Sequence, residues 1–386
     1  MAEKLLPGDL TWSCDPAAFS FKTTAELPVF GEIIGQDRAL KSIDFGLGIT
    51  NHNYNIYVLG EGGTGKFTTV KAIIDEKAKK EPVPDDWCYV HNFEEPDCPT
   101  AINLRPGTGS ELVVEMEELV LSLRRDIPKV IESKDYDKHR DEIIDGQQER
   151  TRAIFSRLEQ KVAEKGFILK KSVSGLSVMP AKDGKAMSHE DFESLSKEKR
   201  ASMEAELKIL QDKLSDAIRE ARAIEKETKD RINALDREVV QYVVNPVVNE
   251  VYDRFKGFKS ITDFLDKVKE DILANIDDFR AKEEMPISFG PVKFQRQEPT
   301  FERYKVNLMV GNKDGMGAPV IFEPNPTYYN LFGRLEYRVQ FGAASTDFTM
   351  IKAGSVHRAN GGYLILNAID MLRNIFVYDS LKRMIK

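Results

Sequence analysis

The chain has 386 residues, 41% of them hydrophobic and 31% charged, which suits a globular protein of two or three domains with some long exposed helices. Its 56 basic and 63 acidic side chains leave a formal net charge of −7, so nothing draws the chain as a whole towards nucleic acid or an anionic membrane. Cys14, Cys88 and Cys98 lack the paired spacing of a disulfide framework and fit a reducing cytoplasm, Met1 to Trp12 has no basic-then-apolar leader, and no apolar run is long enough for a membrane span.

From about Leu27 to Arg105 short apolar runs alternate with helical patterns. Ile56-Tyr57-Val58-Leu59 reads as a buried strand, Thr68 to Lys80 as a helix and Trp87-Cys88-Tyr89-Val90 as a second strand, which predicts a parallel α/β sheet. Cys88 and Cys98 are too far apart for a metal knuckle, and no metal site is expected.

From about Gly109 to Arg280 charge dominates and prolines are scarce. Leu207, Leu210, Leu214, Ala217, Ala221 and Ile224 recur at the spacing of a coiled-coil-like seam, and Ile143 and Ile144 mark the buried side of an earlier helix. The stretch from Gly166 to Gly184 is a loop or a small β excursion between two long helices. Leu265, Val268, Ile272 and Ile276 predict a further amphipathic helix. The region is either a solvated spacer or an arm that contacts substrate or neighbouring subunits.

The α/β pattern returns from about Met285. Tyr304 to Val310 and Pro319 to Pro324 are candidate strands, Tyr363-Leu364-Ile365-Leu366 is a fully apolar one, and Met371 to Ile385 reads as the helix after it. The expected division is therefore 1–108, first α/β part; 109–284, inserted helical domain; 285–386, second α/β part.

Gly60-Glu61-Gly62-Gly63-Thr64-Gly65-Lys66 has the G-x-x-x-x-G-K spacing of a phosphate-binding loop. Its glycines let backbone N–H groups converge on phosphate oxygens, the helix start adds a positive dipole end, and Lys66 supplies a mobile charge. A bare match of this kind arises by accident in roughly one chain in ten of this size, and the flanking strand and helix patterns are what raise it above a glycine-rich turn. The hydroxyl residue that normally follows the lysine and holds Mg²⁺ is replaced by Phe67, with Thr68 and Thr69 behind it. Thr68 points about 100° away around the helix, so it does not simply inherit that direction.

Ile34-Gly35-Gln36-Asp37-Arg38-Ala39 resembles the Gly-Gln element that AAA+ proteins place near the adenine. Leu331-Phe332-Gly333 and the run from Ala353 through Asn360-Gly361-Gly362 to Leu366 resemble the stretch of Lon-type proteases that leads into the Walker B strand. Asn325-Pro326-Thr327-Tyr328 and Asn92-Phe93 are similar to Lon-related bacterial proteases as well. The resemblance implies an AAA+ parallel sheet flanked by helices with a long inserted arm, ATP or ADP as ligand, hexamers in the full-length form, and unfolded or damaged proteins as substrates. It also implies that sensor residues, an arginine finger, a helical lid and a Ser–Lys peptidase lie beyond Lys386, so the chain is expected to be a fragment without proteolytic residues.

On that resemblance the nucleotide contacts fall on Gly60, Gly62, Gly63, Thr64, Gly65, Lys66, Thr68, Ile34 and Gln36, with Asn367 and Asp370 at the Walker B end. Here the family's acidic pair is replaced by Asn367 and Ala368, and Asp370 is either a substitute or a first-turn residue of the next helix. Phe341-Gly342 falls where related machines carry a pore-facing loop, against a core phenylalanine as the plainer reading. Arg358 reads as a salt-bridge residue or a nucleotide contact. Arg334, Arg338, Lys352 and Arg358 leave nucleic-acid contact open, with no recognised module behind it. Three functions compete: an ATPase that unfolds proteins for a peptidase, a degenerate, non-hydrolysing module that recruits substrate for an ATP-independent one, and, with least behind it, a nucleic-acid-associated P-loop ATPase.

Overall fold

The computed structural model describes residues 5–11, 13–27, 35–49, 51, 54–172, 175–182, 185–187, 192, 196–280, 288–289, 292–293, 301–340 and 343–385. Along the chain the main elements are α1 (Asp37–Leu47), α2 (Lys66–Ala78), β1 (Asp86–Val90), β2 (Thr100–Leu104), α3 (Thr108–Ile131) and α4 (Lys134–Glu164). A small sheet of β3 (Phe167–Ser172), β4 (Gly175–Lys182) and β5 (Lys185–Ala186) leads into α5 (Lys197–Phe255) and α6 (Lys259–Ala274). Then come β6 (Val306–Val310), β7 (Val320–Glu323), β8 (Tyr363–Leu366), α7 (Ala368–Arg373) and α8 (Val377–Ile385). None of the described helices is long and apolar enough to cross a membrane.

Two compact units emerge, and they divide the chain along other lines than the three sequence regions. One holds 1–83, 316–332 and 358–386; the other holds 84–315 and 333–357.

The larger unit is helical with a three-stranded sheet at one end of its core. β1 pairs antiparallel with both β2 and β6, so the strand expected at Trp87–Val90 is present but is not part of a parallel sheet. The reason is reach: the connection 91–99 suffices for an antiparallel return, whereas a parallel one needs a crossover of about a dozen residues or more. Leu112, Met116, Leu119 and Leu123 of α3 bury one helical stripe against this sheet and against Val240, Val244 and Val248 of α5. α6 adds Leu265, Val268 and Ile272, and Ile276 follows in the same core, as their spacing predicts.

Helices α4 and α5 run antiparallel, because their contacts pair falling numbers with rising ones. Lys165 meets Glu206 at 2.8 Å, Arg150 meets Glu227 at 3.1 Å and the Tyr136 hydroxyl donates to Asp236 at 2.5 Å. Leu210, Leu214 and Ala217 of the expected seam are buried with Leu158 and Val162 of α4, with Leu207 packed at the margin. Ala221 and the pair Ile143 and Ile144 are only half-buried. The Gly166–Gly184 stretch is the β excursion: β3 and β4 pair from Phe167↔Pro180 to Ser172↔Gly175 and cap the seam through Phe167 and Val178.

In the smaller unit β7 and β8 form a parallel pair, from Tyr363↔Val320 to Leu366↔Glu323. This is the parallel pairing found among the described residues. Gly362 allows it, since a Cβ there would lie 2.1 Å from the Pro319 carbonyl oxygen. Ile56–Leu59 departs from the expectation of a buried strand: it pairs with no described strand, and Leu59 is 83% exposed. An apolar run becomes a strand only where a neighbour accepts its backbone groups, and none of the described strands does so here. β8 is half-buried rather than fully buried. The expected helix Met371–Ile385 is broken into α7 and α8, with Phe376 at φ 67°. The Asn374 amide donates to the Asp370 carbonyl at 2.8 Å, a side-chain bond that competes with helix continuation.

Candidate functional site

The glycine loop enters α2 through two left-handed residues, Gly63 at φ 78° and Gly65 at φ 75°. A Cβ is disfavoured in that conformation, and it turns successive N–H groups towards one side of the loop. Gly65 is the N-cap of α2 and offers no side chain, so the helix's first donors are left for another acceptor. The Thr69 N–H donates to the Gly65 carbonyl at 3.0 Å, which starts the helix.

Lys66 folds back over its own loop. Its ammonium donates to the Gly60 carbonyl at 2.7 Å and also to the Glu61 carbonyl. The Thr64 hydroxyl donates to the same Glu61 carbonyl at 2.9 Å. Thr64 and Thr68 are exposed, and Gly62 has open space where a Cβ would stand. The loop thus presents backbone donors and one cation on an accessible surface, the chemistry a polyphosphate needs.

Phe67 takes a different part. Its ring centroid lies 4.4 Å from that of Phe322 on β7, so the residue at the metal-hydroxyl position packs α2 against the strand. Its pairing with Phe322 had no signal in the sequence, because the two are far apart in the chain.

At the other end of the expected site, Asn367 is the N-cap of α7, and its side chain accepts the Ile369 N–H at 3.0 Å. Asp370 sits in the first turn of α7, 3.9 Å from Arg373; of its two readings this is the helical one. Gln36 is the exposed N-cap residue of α1 and makes no side-chain capping bond. Ile34 lies outside the described residues, as do Phe341 and Gly342. Among the described residues no hydrogen bond or ion pair joins Gln36, Asn367 or Asp370 to Gly60–Lys66.

The polar groups around β7 and β8 are structural. Glu323 is buried, accepts the Asn325 N–H at 3.0 Å and lies 3.8 Å from the Arg358 guanidinium, so the salt-bridge reading of Arg358 holds. The Tyr363 hydroxyl donates to Glu81 at 2.7 Å; burial, then that carboxylate, raise its pKa well above the usual phenol value. Arg334 pairs with Glu336 at 2.8 Å and Arg338 with Glu302 at 3.7 Å, so the arginines proposed as a basic patch are each partnered by a carboxylate.

Comparison with known families adds two matches. Residues 316–386 match the model described as LonB-like, AAA domain, and residues 86–119 match the Lon-like LonC helical domain. The first covers β7, β8, α7 and α8; the second covers β1, β2 and the first half of α3. Gly60–Lys66 lies outside both. No curated protein matches the chain.

Proposed function

We propose, from a chain that belongs to the Lon-type AAA+ protease family, that it is the nucleotide-binding portion of a Lon-like protease which engages unfolded or damaged proteins and passes them to a Ser–Lys peptidase. An AAA domain carries nucleotide binding as its coarse property. The observation that supports its placement is the glycine loop: Gly63 and Gly65 in the left-handed region, an uncapped α2 and the Lys66 ammonium held on carbonyl oxygens. Gly60, Gly62, Gly63, Thr64, Gly65, Lys66 and Thr68 would cradle the phosphates of ATP or ADP. Ile34 and Gln36 would flank the base, and Asn367 and Asp370 would stand at the far side. A homo-hexamer is part of the same reading.

The residues fit phosphate and do not fit Mg²⁺. Phe67 has no hydroxyl and its ring is committed to Phe322, while the Asn367 side chain is committed to capping α7. Ala368 offers no base. These features favour a second reading, in which the module binds nucleotide without hydrolysing it and serves substrate recruitment for an ATP-independent relative. No catalytic step is assigned to a residue of this chain.

Calorimetric titration with ADP and ATP, each with and without Mg²⁺, tests the proposal. Binding that is indifferent to Mg²⁺ is expected. Absence of binding under all four conditions overturns the nucleotide reading, and binding that strictly requires Mg²⁺ overturns the lost metal site.

A further inference from the structure

We propose that the edge strand β3, at the end of the α4–α5 pair, takes up an extended, acidic segment of polypeptide by strand addition. This rests on reading the chain as a handler of protein substrates and names their chemistry. Three observations carry it. In the order β3-β4-β5, β3 has one neighbour, so among the described residues its outer edge is unpaired. Such an edge offers a row of N–H and C=O groups with which another extended chain can pair along its length.

The second is charge. The segment 167–187 carries four lysines, Lys170, Lys171, Lys182 and Lys185, against one acidic residue, Asp183, in a chain of net charge −7. Lys170 and Lys185 are exposed and make no ion pair among the described residues, whereas Lys165 just before the strand is bound to Glu206 at 2.8 Å.

The third is what the hairpin lacks. Nucleic-acid recognition draws on arginine forks and exposed aromatic platforms. The segment 167–187 has no arginine, and its one aromatic, Phe167, is buried in the core. Phe167 and Leu169 face that core, so strand alternation turns Ile168 and Lys170 the other way, with Met179 and Ser177 as their cross-strand partners. On β3 that outer face sets the apolar Ile168 beside the cationic Lys170, which suits a chain carrying an acidic residue next to an apolar one on the same face.

The test uses the full chain and three labelled probes in anisotropy titrations: an unstructured peptide of alternating Glu and Val, the same peptide with Gln for Glu, and single-stranded DNA of equal length. The Glu peptide should bind about tenfold or more tighter than the Gln peptide at low salt and lose that margin as salt rises. Lys170→Glu with Lys171→Glu should abolish the margin, and Lys170→Gln with Lys171→Gln should reduce it, with helicity and melting unchanged in the Gln pair. Equal binding of Glu and Gln peptides overturns the hairpin inference and leaves the substrate-handling reading standing. Binding of neither peptide overturns both, while tighter binding of DNA assigns the edge to nucleic acid. Charge reversal that causes self-association with no change in peptide affinity reduces the lysines to guards of an exposed edge and overturns the proposal.

Discussion

Phe67, the residue after the loop lysine, packs against Phe322 with ring centroids 4.4 Å apart and planes inclined by 50°. The contact ties the first turn of α2 to β7 and places an aromatic ring where the chemistry of hydrolysis calls for a hydroxyl. Phe67→Thr, combined with Asn367→Asp and Ala368→Glu, should introduce Mg²⁺ dependence into nucleotide binding before any turnover appears. Asp at 367 preserves the N-cap of α7, so helix loss does not confound the result. Calorimetry with and without Mg²⁺ reads the change; an unaltered Mg²⁺ response would place the metal-site loss elsewhere.

Lys66→Ala should weaken ADP and ATP binding by about 1.5–3 kcal/mol, the worth of a charge-assisted hydrogen bond. The ammonium rests on the Gly60 and Glu61 carbonyls, so its loss removes a tether of the loop, and a modest drop in melting temperature should accompany it. The same titration on the variant checks this, with an unchanged dissociation constant as the contrary outcome.

Leu210 is 1% exposed in the α4–α5 seam. Leu210→Asp puts an unpaired carboxylate there and should destabilise the helical unit by about 3–5 kcal/mol. Urea denaturation followed by far-ultraviolet dichroism is the measurement, and an unchanged midpoint would mean the seam does not hold the pair together.

Asp86 is fully buried and accepts two backbone donors, the Gly109 N–H at 2.9 Å and the Asn312 N–H at 2.7 Å. It joins β1, the start of α3 and the turn after β6. Asp86→Ala leaves the buried Gly109 N–H without a partner, at about 1–3 kcal/mol, and removes the acceptor of the half-buried Asn312 N–H as well. Thermal melting should fall sharply, and more than for any exposed acid-to-alanine change on α4.

Burial, then the nearby Asp86 carboxylate, push the Cys88 thiol up to about 12. A raised folded pKa contributes stability that is fully present below the unfolded thiol's value and is lost as pH rises from there through about 12. At mildly alkaline pH, iodoacetamide should therefore label the exposed Cys14 and Cys98 and spare Cys88 until the chain is unfolded. Mass spectrometry of the labelled peptides decides it; early labelling at Cys88 would show that β1 opens in the native state.

The sequence by itself determined the local elements. Periodicity placed helices α5 and α6, the seam through Leu210 and Leu214 and the stripe through Leu265, Val268 and Ile272, because one amphipathic helix needs only its own residues to declare which side it buries. The glycine loop was legible for the same reason: its left-handed turns and the start of α2 are set within a few residues. Tertiary structure decided whatever depended on a partner distant in sequence. It set β1 antiparallel between β2 and β6, left Ile56–Leu59 without a partner among the described strands, and committed Phe67 to Phe322. A short apolar run is the same signal for a central strand, an edge or an exposed segment. Only the group that arrives opposite it, from elsewhere in the chain, fixes which free energy is gained.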